Sequence, residues 1–374
     1  MVIYYFLTFG YSLKTWEESS AIDREVKYIN YLSEKYSIKF YIITYGDFED
    51  KKYSKLFLNS EILPIYTFIN KSKFKIVNYI KSFCIPFKIK KISNEKIFMI
   101  KQNQLLGSWV SILFKLITNK KLFIRTGYDM YQFSIKDEKS KFKQFLYKAL
   151  TLFSLNFADL YSVSSYSDMN FINDNFPRLI QKVLLIRNWV EVPESINFKD
   201  RENIVSIGRL EKQKNYNFLL NEFKDFSGEI ILVGKGSEEK YLMDVSSSFK
   251  LNLKVIPFIS NIEAVNLLSK ARYFILPSLY EGNPKVLLEA MAQGCIVLAS
   301  NIPNHVEIIS NTENGFIFEL TNNSLSKTFS IVSSKKQEEL NKVALSARDL
   351  MKKDFSISKI AETEYNHLLG LIDE

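Results

Sequence analysis

A strand–loop–helix–strand pattern over residues 274–299 is the feature that most constrains the fold of this chain. The apolar run 274–276 is followed by a loop rich in Ser, Gly, Asn and Pro. Pro284 then opens an amphipathic segment that ends at Gly294, and residues 295–299 are apolar again. A buried strand that leads through a helix into another buried strand predicts a βαβ unit of a parallel sheet.

The same alternation of short apolar runs and helical segments continues along the chain. It predicts an α/β fold, and 374 residues are enough for two domains of ordinary size. Pro193 and the polar stretch after it predict a boundary near residue 194. The segment 74–91 is ambiguous, because its aromatic residues and lysines favour a surface helix that Pro86 would interrupt. The other predicted strands are 2–9, 39–44, 97–100, 122–124, 160–163, 183–186, 203–207, 229–233 and 253–258.

The formal net charge of +9 is concentrated in the first half of the chain. Residues 1–194 contain 29 Lys and Arg against 18 Asp and Glu, and 18 of those basic residues lie within 71–148 among many aromatic and aliphatic residues. Solvated lysines on helix faces explain most of this excess. An anionic membrane surface is the more specific interpretation, and we expect no nucleic-acid partner because no nucleic-acid-binding motif is present.

Targeting and cysteine signals indicate a cytoplasmic protein. The first residues lack the basic region of a secretory signal, and no run approaches the roughly 20 apolar residues that span a bilayer. Cys84 and Cys295 have no spacing typical of a disulfide framework or a metal site. We therefore expect no metal, and a protein that is cytoplasmic or peripheral on the inner face of the cytoplasmic membrane.

Two carboxylates and a helix start lie together in the central pattern. Glu281 follows a predicted strand, and Glu289 shares a helix face with Lys285 at an i, i+4 spacing. Ligands of open parallel sheets bind outside the carboxyl ends of the strands, where the helix N-terminus near Pro284 favours phosphate. Each glutamate taken alone is better explained as a solvated surface residue.

A basic pair follows the first predicted strand of the second domain. Gly208 and Arg209 come directly after that strand, and Lys214 precedes the next helix. Arginine binds two phosphate oxygens at once, whereas lysine supplies a point charge. This arrangement favours a diphosphate site, although an exposed Arg and Lys would give the same pattern.

The string from Leu276 to Gly294 resembles the signature of the family 4 glycosyltransferases, Glu-x7-Glu within LPSLYEG-x-P-x-x-LLEAMA-x-G. The resemblance implies a GT-B fold with two Rossmann-like domains facing a cleft, 1–194 binding the acceptor and 195–354 the donor. It also implies a last helix, about 355–374, that crosses back to the first domain. It further implies retention of anomeric configuration, with no metal and no cofactor beyond a nucleotide-diphosphate sugar, UDP or GDP being expected.

The resemblance also assigns roles to residues of the second domain. It implies that Arg209 and Lys214 bind the donor diphosphate, Glu281 the donor sugar and Glu289 the ribose. The further donor-binding residues that it implies are Gly208, Gly234, Phe258, Ile259, Gly282, Asn283, Pro284, Lys285 and Val286.

The first domain departs from the family pattern. The usual Gly-Gly pair of the first loop is Ser19-Ser20, with only Gly10 nearby, and the usual histidine is missing. Arg125 or Thr126 is expected in its place, and Gln104 is expected to face the acceptor or sugar. Hydrogen bonding within the loops explains all of these residues equally well.

The expected function is hexosyl transfer from a nucleotide sugar to a saccharide or lipid-linked saccharide during surface polysaccharide synthesis. Two alternatives remain open at this point. One is a GT-B phosphorylase or sugar-nucleotide epimerase. The other is an inactive binding module, which the missing histidine and glycines keep open, although the presence of Arg209, Lys214, Glu281 and Glu289 argues against it.

Overall fold

A computed structural model describes residues 1–92, 97–199, 201–257 and 259–371 of the chain. It divides into two compact units. Unit 1 comprises Met1–Arg187 together with the residues from Ala361 onward, and unit 2 comprises Asn188–Ile360. The last helix therefore begins in unit 2 and continues in unit 1.

Unit 1 is built on a parallel sheet whose strands follow the order β3-β2-β1-β4-β5-β6-β7. Its strands are β1 (Val2–Phe6), β2 (Lys39–Thr44), β3 (Ser60–Pro64), β4 (Met99–Asn103), β5 (Lys121–Arg125), β6 (Leu160–Val163) and β7 (Val183–Leu185). Its helices are α1 (Leu13–Glu18), α2 (Ile22–Tyr36), α3 (Lys75–Ser82), α4 (Ile85–Ile92), α5 (Ser108–Thr118), α6 (Met130–Lys136), α7 (Lys141–Phe157) and α8 (Tyr166–Asn175).

Unit 2 repeats this order in its own parallel sheet, β10-β9-β8-β11-β12-β13. Its strands are β8 (Glu202–Ile207), β9 (Ile230–Val233), β10 (Leu253–Ile256), β11 (Ala271–Leu276), β12 (Ile296–Ser300) and β13 (Phe316–Phe318). The helices that follow are α9 (Tyr216–Glu222), α10 (Glu239–Phe249), α11 (Asn261–Lys270), α12 (Lys285–Ala292), α13 (Pro303–Val306), α14 (Ser324–Ser333), α15 (Gln337–Asp354) and α16 (Ile357–Gly370).

The strands of unit 2 are mostly apolar because helices cover both faces of the sheet. Alternate residues of one strand belong to different core clusters: Val205 packs with Phe274 on one face, whereas Ile204 packs with Ile275 on the other. A parallel sheet that is buried on both faces selects this continuous apolar pattern. The predicted α/β class with parallel sheets is confirmed.

Two parts of unit 1 were incompletely predicted. β3 was missed because its sequence, SEILP, is short, carries an exposed Glu61 and ends in proline. The ambiguous segment 74–91 forms two helices, α3 and α4, and Pro86 lies in the first turn of α4, where proline is tolerated. No helix in the described ranges is long and apolar enough to cross a membrane.

Candidate active site

The candidate site of unit 2 lies where the strand order reverses, between neighbouring strands β8 and β11. In its own chain order the sheet runs 3-2-1-4-5-6, the order of dinucleotide-binding folds, which bind ligands at this reversal. The loop after β8 carries Gly208, Arg209 and Lys214, and the loop after β11 carries Glu281. The topology thus brings both sequence motifs to the same end of the sheet.

Lys214 and Glu281 form a buried ion pair in which Lys214 Nζ lies 2.6 Å from Glu281 Oε1. Lys214 ends a short 3-10 helix, Lys212–Lys214, that precedes α9. Ser278 donates a second hydrogen bond of 2.6 Å to the same carboxylate oxygen. Glu281 is only 6% exposed and Lys214 only 8% exposed, so neither residue is a solvated surface charge.

The pKa of the Glu281 carboxyl reflects two opposing effects. Burial raises this pKa, but the charge of Lys214 and the hydrogen bonds from Lys214 and Ser278 lower it more, so the net shift is downward. Glu281 therefore carries its negative charge throughout the neutral pH range. It also holds the Lys214 ammonium group in one position beside Arg209.

Gln213 organises this site, although sequence reasoning did not select it. Its side-chain carbonyl accepts a 3.0 Å hydrogen bond from Arg209, and its amide group donates one of 2.8 Å to the Tyr280 carbonyl. Its backbone carbonyl accepts a bond of 2.9 Å from the Leu279 amide. Gln213 therefore joins the loops after β8 and β11. Its spacing of four residues from Arg209 was the available signal.

The loop that leads into α12 is fixed by asparagine side chains. Asn304 donates a 2.5 Å hydrogen bond to the Gly282 carbonyl, and Asn188 lies 3.4 Å from the Asn283 carbonyl. Pro284 then caps α12, whose first residues are Lys285 and Val286. The amide groups at the start of a helix have no carbonyl of the preceding turn to bind. They carry a partial positive charge that suits an anion.

Gly234 follows β9 and touches the loop after β8. Its φ is +149°, and a Cβ at this position would collide with the carbonyl oxygen of Gly208. Only glycine permits this approach of two backbones. Gly208 and Gly234 thus lie side by side where the loops after β8 and β9 meet.

Of the remaining predicted donor residues, Glu289 lies in α12 and Ile259 precedes α11. Glu289 is half-buried in α12, and Asn261 Nδ2 lies 3.4 Å from its Oε1. Ile259 is half-buried and packs against the core next to α11. Phe258, which was predicted to flank the nucleotide base, lies outside the described residues.

His305 lies behind Glu281, in α13. It is fully buried, and its Nδ1 is 2.9 Å from the Ser300 carbonyl oxygen. Its Nε2 has no hydrogen-bond partner among the described residues. Burial lowers the pKa of His305 to about 4 despite the nearby charge of Glu281, so the ring is neutral at pH 7.

In unit 1 the predicted residues lie at the ends of β1, β4 and β5. Gly10 has a φ of +82°, and Gln104 accepts a 3.0 Å hydrogen bond from the Gly127 amide. Thr126 is buried and donates a 2.8 Å bond to the Ser162 carbonyl. Gln104 and Thr126 therefore make the loop hydrogen bonds that were the alternative to a role with the substrate.

Arg125, the other predicted substitute for the histidine, faces a cluster of buried charges. Its guanidinium lies 5.8 Å from the centre of the Tyr28 ring. Burial lowers the pKa of Arg125, but the charges around it, Glu25 first and Glu364 among them, raise it more, so the net shift is upward. Arg125 is thus held within unit 1 by acidic neighbours.

The arrangement in unit 2 can bind a diphosphate next to a polar ligand. Arg209, Lys214 and the start of α12 offer positive charge, while Glu281 and Glu289 offer hydrogen-bond acceptors. Within the described residues, no group of three or more His, Cys, Asp or Glu side chains is placed to hold a metal ion.

Known proteins resemble this chain over the region that carries the candidate site. The sequence profile of the glycosyl transferases group 1 family matches residues 189–348, which include the loops after β8, β9 and β11. The capsular polysaccharide biosynthesis glycosyltransferase CapH of Staphylococcus aureus is 31% identical over 61% of this chain and 67% of its own length.

Two further similarities extend the comparison. An N-acetylgalactosaminyltransferase of Campylobacter jejuni, named for a diphospho-undecaprenol-linked acceptor, is 24% identical over 63% of this chain and 67% of its own length. The structure of Anabaena HepE in complex with UDP covers 99% of this chain and 100% of its own, with a TM-score of 0.75 and 14% identity. At 14% identity the similarity to HepE shows the fold alone. It confirms the predicted GT-B fold of two Rossmann-like domains. The chain belongs to the glycosyl transferases group 1 family.

Proposed function

We propose that this glycosyltransferase is a retaining enzyme of family 4 that moves a hexosyl group from a UDP- or GDP-sugar to a lipid-linked saccharide. The acceptor would belong to the synthesis of a surface polysaccharide, on the inner face of the cytoplasmic membrane. The names of the two similar transferases, one capsular and one acting on a diphospho-undecaprenol-linked substrate, support this acceptor class. The UDP bound by HepE supports the donor class.

The observation that carries the proposal is the buried Lys214–Glu281 pair beside Arg209 at the reversal of strand order. When the bond between the sugar and the diphosphate breaks, negative charge grows on the departing diphosphate. Arg209, the Lys214 ammonium and the first amides of α12 would stabilise that charge. In this proposal cationic side chains supply the charge neutralisation, so no metal is required. The donor is a co-substrate, and no cofactor is required either.

The glutamates would contact the polar parts of the donor. Lysine has three N–H donors, so Lys214 can keep its bond to Glu281 while it binds a phosphate oxygen. Glu281, held ionised by Lys214, would accept hydrogen bonds from the sugar hydroxyls and favour the positive charge that develops on the ring. Glu289 would accept hydrogen bonds from the ribose.

Thermal unfolding with a panel of UDP-, GDP-, ADP- and CMP-sugars tests the donor. A ligand that binds only the native state raises the melting temperature. We expect one nucleotide class to do so, and the shift to disappear in Arg209→Ala and in Glu289→Ala. Arg178→Ala, which removes an exposed arginine of unit 1, is the control and should leave the shift unchanged. Absence of any shift with a folded protein would contradict the proposal and favour the inactive binding module.

The anomeric configuration of the product tests the mechanism. NMR of the product from an α-linked donor should show an α linkage, and a β linkage would exclude retention. Release of free sugar phosphate would identify a phosphorylase, and an epimerised nucleotide sugar would identify an epimerase. Transfer to a soluble saccharide but not to a lipid-linked one would overturn the acceptor part alone.

A further inference from the structure

The surface formed by residues 71–92, here the α3–α4 surface, exposes an unusual amount of apolar side chain. A short loop and the helices α3 and α4 build it. Isolated exposed apolar residues are common, but a concentration of them in one segment marks an interaction site. Its seven large apolar side chains are between 44% and 75% exposed: Phe74, Ile76, Tyr79, Ile80, Phe83, Phe87 and Ile92.

Most of the apolar stripe of α3 points away from the core, whereas Tyr79 within it stacks on Phe9. Ile76, Tyr79, Ile80 and Phe83 have the spacing i, i+3, i+4 and i+7, which places them on one face of the helix. In an ordinary surface helix this face is buried and the polar face is solvated. In α3 the same face is exposed, with Ile76 at 75% and Ile80 at 65%. The stripe is therefore available to a partner that removes it from water.

The α3–α4 surface is held in place by the core of unit 1. Ile85 and Ile89 of α4 are 3% and 1% exposed and belong to that core. Trp109 of α5 donates a 2.9 Å hydrogen bond to the hydroxyl of Ser82, and the ring of Tyr79 stacks on that of Phe9 at 4.5 Å. The exposed side chains are thus presented on an anchored support.

The charges of this surface identify the partner. Residues 71–92 contain seven lysines and no acidic residue, and Lys73, Lys75, Lys88 and Lys91 are among the exposed ones. Protein–protein interfaces are depleted in lysine and favour arginine. Exposed isoleucines, for their part, gain nothing from a nucleic-acid backbone. Lysines around aromatic and aliphatic side chains are typical of helices that lie in the interface of an anionic membrane.

We propose that the α3–α4 surface docks this protein onto an anionic lipid bilayer. Phe74, Ile76, Ile80, Phe83 and Phe87 enter the boundary between headgroups and acyl chains. The long aliphatic parts of the lysine side chains lie along that boundary, and their ammonium groups stay among the lipid phosphates. Docking depends on this surface alone and needs no nucleotide sugar, so it stands or falls independently of the donor and the reaction.

Vesicle co-sedimentation at physiological salt tests the apolar contribution. We expect binding to vesicles of phosphatidylcholine with phosphatidylglycerol and little binding to phosphatidylcholine alone. Ile80→Glu combined with Phe83→Glu should weaken binding more than about tenfold, because each change replaces apolar surface that would be buried in the bilayer with a charged group. Ile331→Glu in unit 2 is the matched control, since Ile331 is 63% exposed and Ile80 is 65% exposed. No binding of the unaltered protein to anionic vesicles would overturn the proposal.

The same assay tests the lysines. Lys88→Gln should weaken binding about fivefold, and the addition of Lys91→Gln should weaken it by a similar factor again. The control pair is Lys327→Gln with Lys336→Gln, which removes the same charge from exposed positions of unit 2. Equal weakening by both pairs would show that only the net charge matters, and would overturn the assignment to this surface.

Cys84 offers a direct probe without any substitution. It is exposed between α3 and α4, whereas Cys295, the other cysteine of the chain, is buried. An environment-sensitive fluorophore on Cys84 should shift its emission to the blue when anionic vesicles are added. Co-sedimentation without this shift would show that another region binds the membrane. If the Ile80 and Phe83 changes convert a dimer to a monomer but leave vesicle binding intact, the surface joins two copies of the chain and the proposal fails.

Discussion

Both units bury a lysine against a glutamate, yet the two pairs occupy different places on sheets of the same strand order. In unit 1, Lys101 lies within β4 and contacts Glu364 of α16, which also accepts a 3.1 Å hydrogen bond from Tyr28. The rings of Tyr5, Tyr28 and Phe123 surround the ammonium group. In unit 2, Lys214 lies beyond the end of β8, among loops. The first pair is enclosed by packed elements of unit 1, whereas the second lies where α/β sheets bind ligands.

The pKa shifts follow this difference. Burial lowers the pKa of Lys101 even though Glu364 raises it, so the net shift disfavours the charged lysine. For Glu281, burial raises the pKa, but the charge of Lys214 and the hydrogen bonds from Lys214 and Ser278 together lower it more and stabilise the charged form. One kind of ion pair thus fastens a helix to a sheet in unit 1. In unit 2 it holds charged groups at the strand ends, where α/β sheets bind ligands.

Glu364→Ala should have the largest effect on stability. It leaves Lys101 buried without its partner, and breaking a buried pair in this way costs about 3–5 kcal/mol. Urea unfolding should show this loss in unit 1. Glu362→Ala, on the exposed side of the same helix, should cost less than about 1 kcal/mol. A loss of similar size for both variants would show that the pair does not fasten α16.

Lys214→Met should act on catalysis. If Lys214 stabilises the departing diphosphate, kcat/KM for sugar transfer falls by about 10²–10³-fold, the usual cost of removing one such donor. The matched control is Lys212→Met, which removes an exposed lysine of the same short helix and should leave kcat/KM within about twofold. Full activity of the Lys214→Met enzyme would show that the Lys214–Glu281 pair has only a structural role, like the Lys101–Glu364 pair.

The stability of the two units should change with pH in opposite directions. In unit 1, burial raises the pKa of Asp129 to about 6 and that of Asp168 to about 7. A carboxyl whose pKa is higher in the folded state than in the unfolded state contributes stability that is fully present below the unfolded pKa, near 3.8. This stability is lost as the pH rises through the folded values of 6 and 7. Asp168→Asn should therefore raise the free energy of unfolding of unit 1 by about 2–4 kcal/mol at pH 8. Urea unfolding followed by hydrogen exchange of peptides from each unit measures this change.

In unit 2 the pKa of His305 is lowered from 6.5 to about 4. Its contribution to stability is therefore present above pH 6.5 and is lost as pH falls towards 4, by about 3 kcal/mol in total. His305→Gln should flatten this dependence in the peptides of unit 2. His367→Gln, which replaces the exposed histidine of α16, should leave it unchanged. A unit 2 that is equally stable at pH 4.5 and pH 7 would contradict the burial of a neutral His305.

Gly234→Ala and Gly10→Ala compare the loop after β9 in unit 2 with the loop after β1 in unit 1. Both substitutions should reduce the free energy of unfolding by less than the changes above. At Gly234 the added Cβ meets the carbonyl oxygen of Gly208, whereas at Gly10 it meets nothing within 4 Å. Gly10→Ala should cost only the left-handed conformation, about 1 kcal/mol. Gly234→Ala should cost about 1–3 kcal/mol, because a backbone has to move, and should also weaken donor binding. Equal melting temperatures of the two variants would remove this distinction.

Much of unit 2 could be predicted from local signals. The apolar runs identified its strands because helices bury both faces of the sheet, and the string around Glu281 and Glu289 identified the family. The role of Gln213 was not predicted, because its contacts join two loops that are distant in sequence. In unit 1, β3 was missed because it is short, carries the exposed Glu61 and ends in proline. The outward direction of the α3 stripe was not predicted, because periodicity does not say which way a helix face points.

The sequence by itself determined the alternation of strands and helices, the α/β class, the family and the residues that carry charge at the strand ends. These follow from local spacing and from a long motif. Tertiary structure alone decided which charges meet: Lys214 and Glu281 are 67 residues apart, and Lys101 and Glu364 are 263 apart. It also decided that His305 is neutral and that the apolar face of α3 is exposed. Burial and partner choice are properties of the packed chain, and no local pattern encodes them.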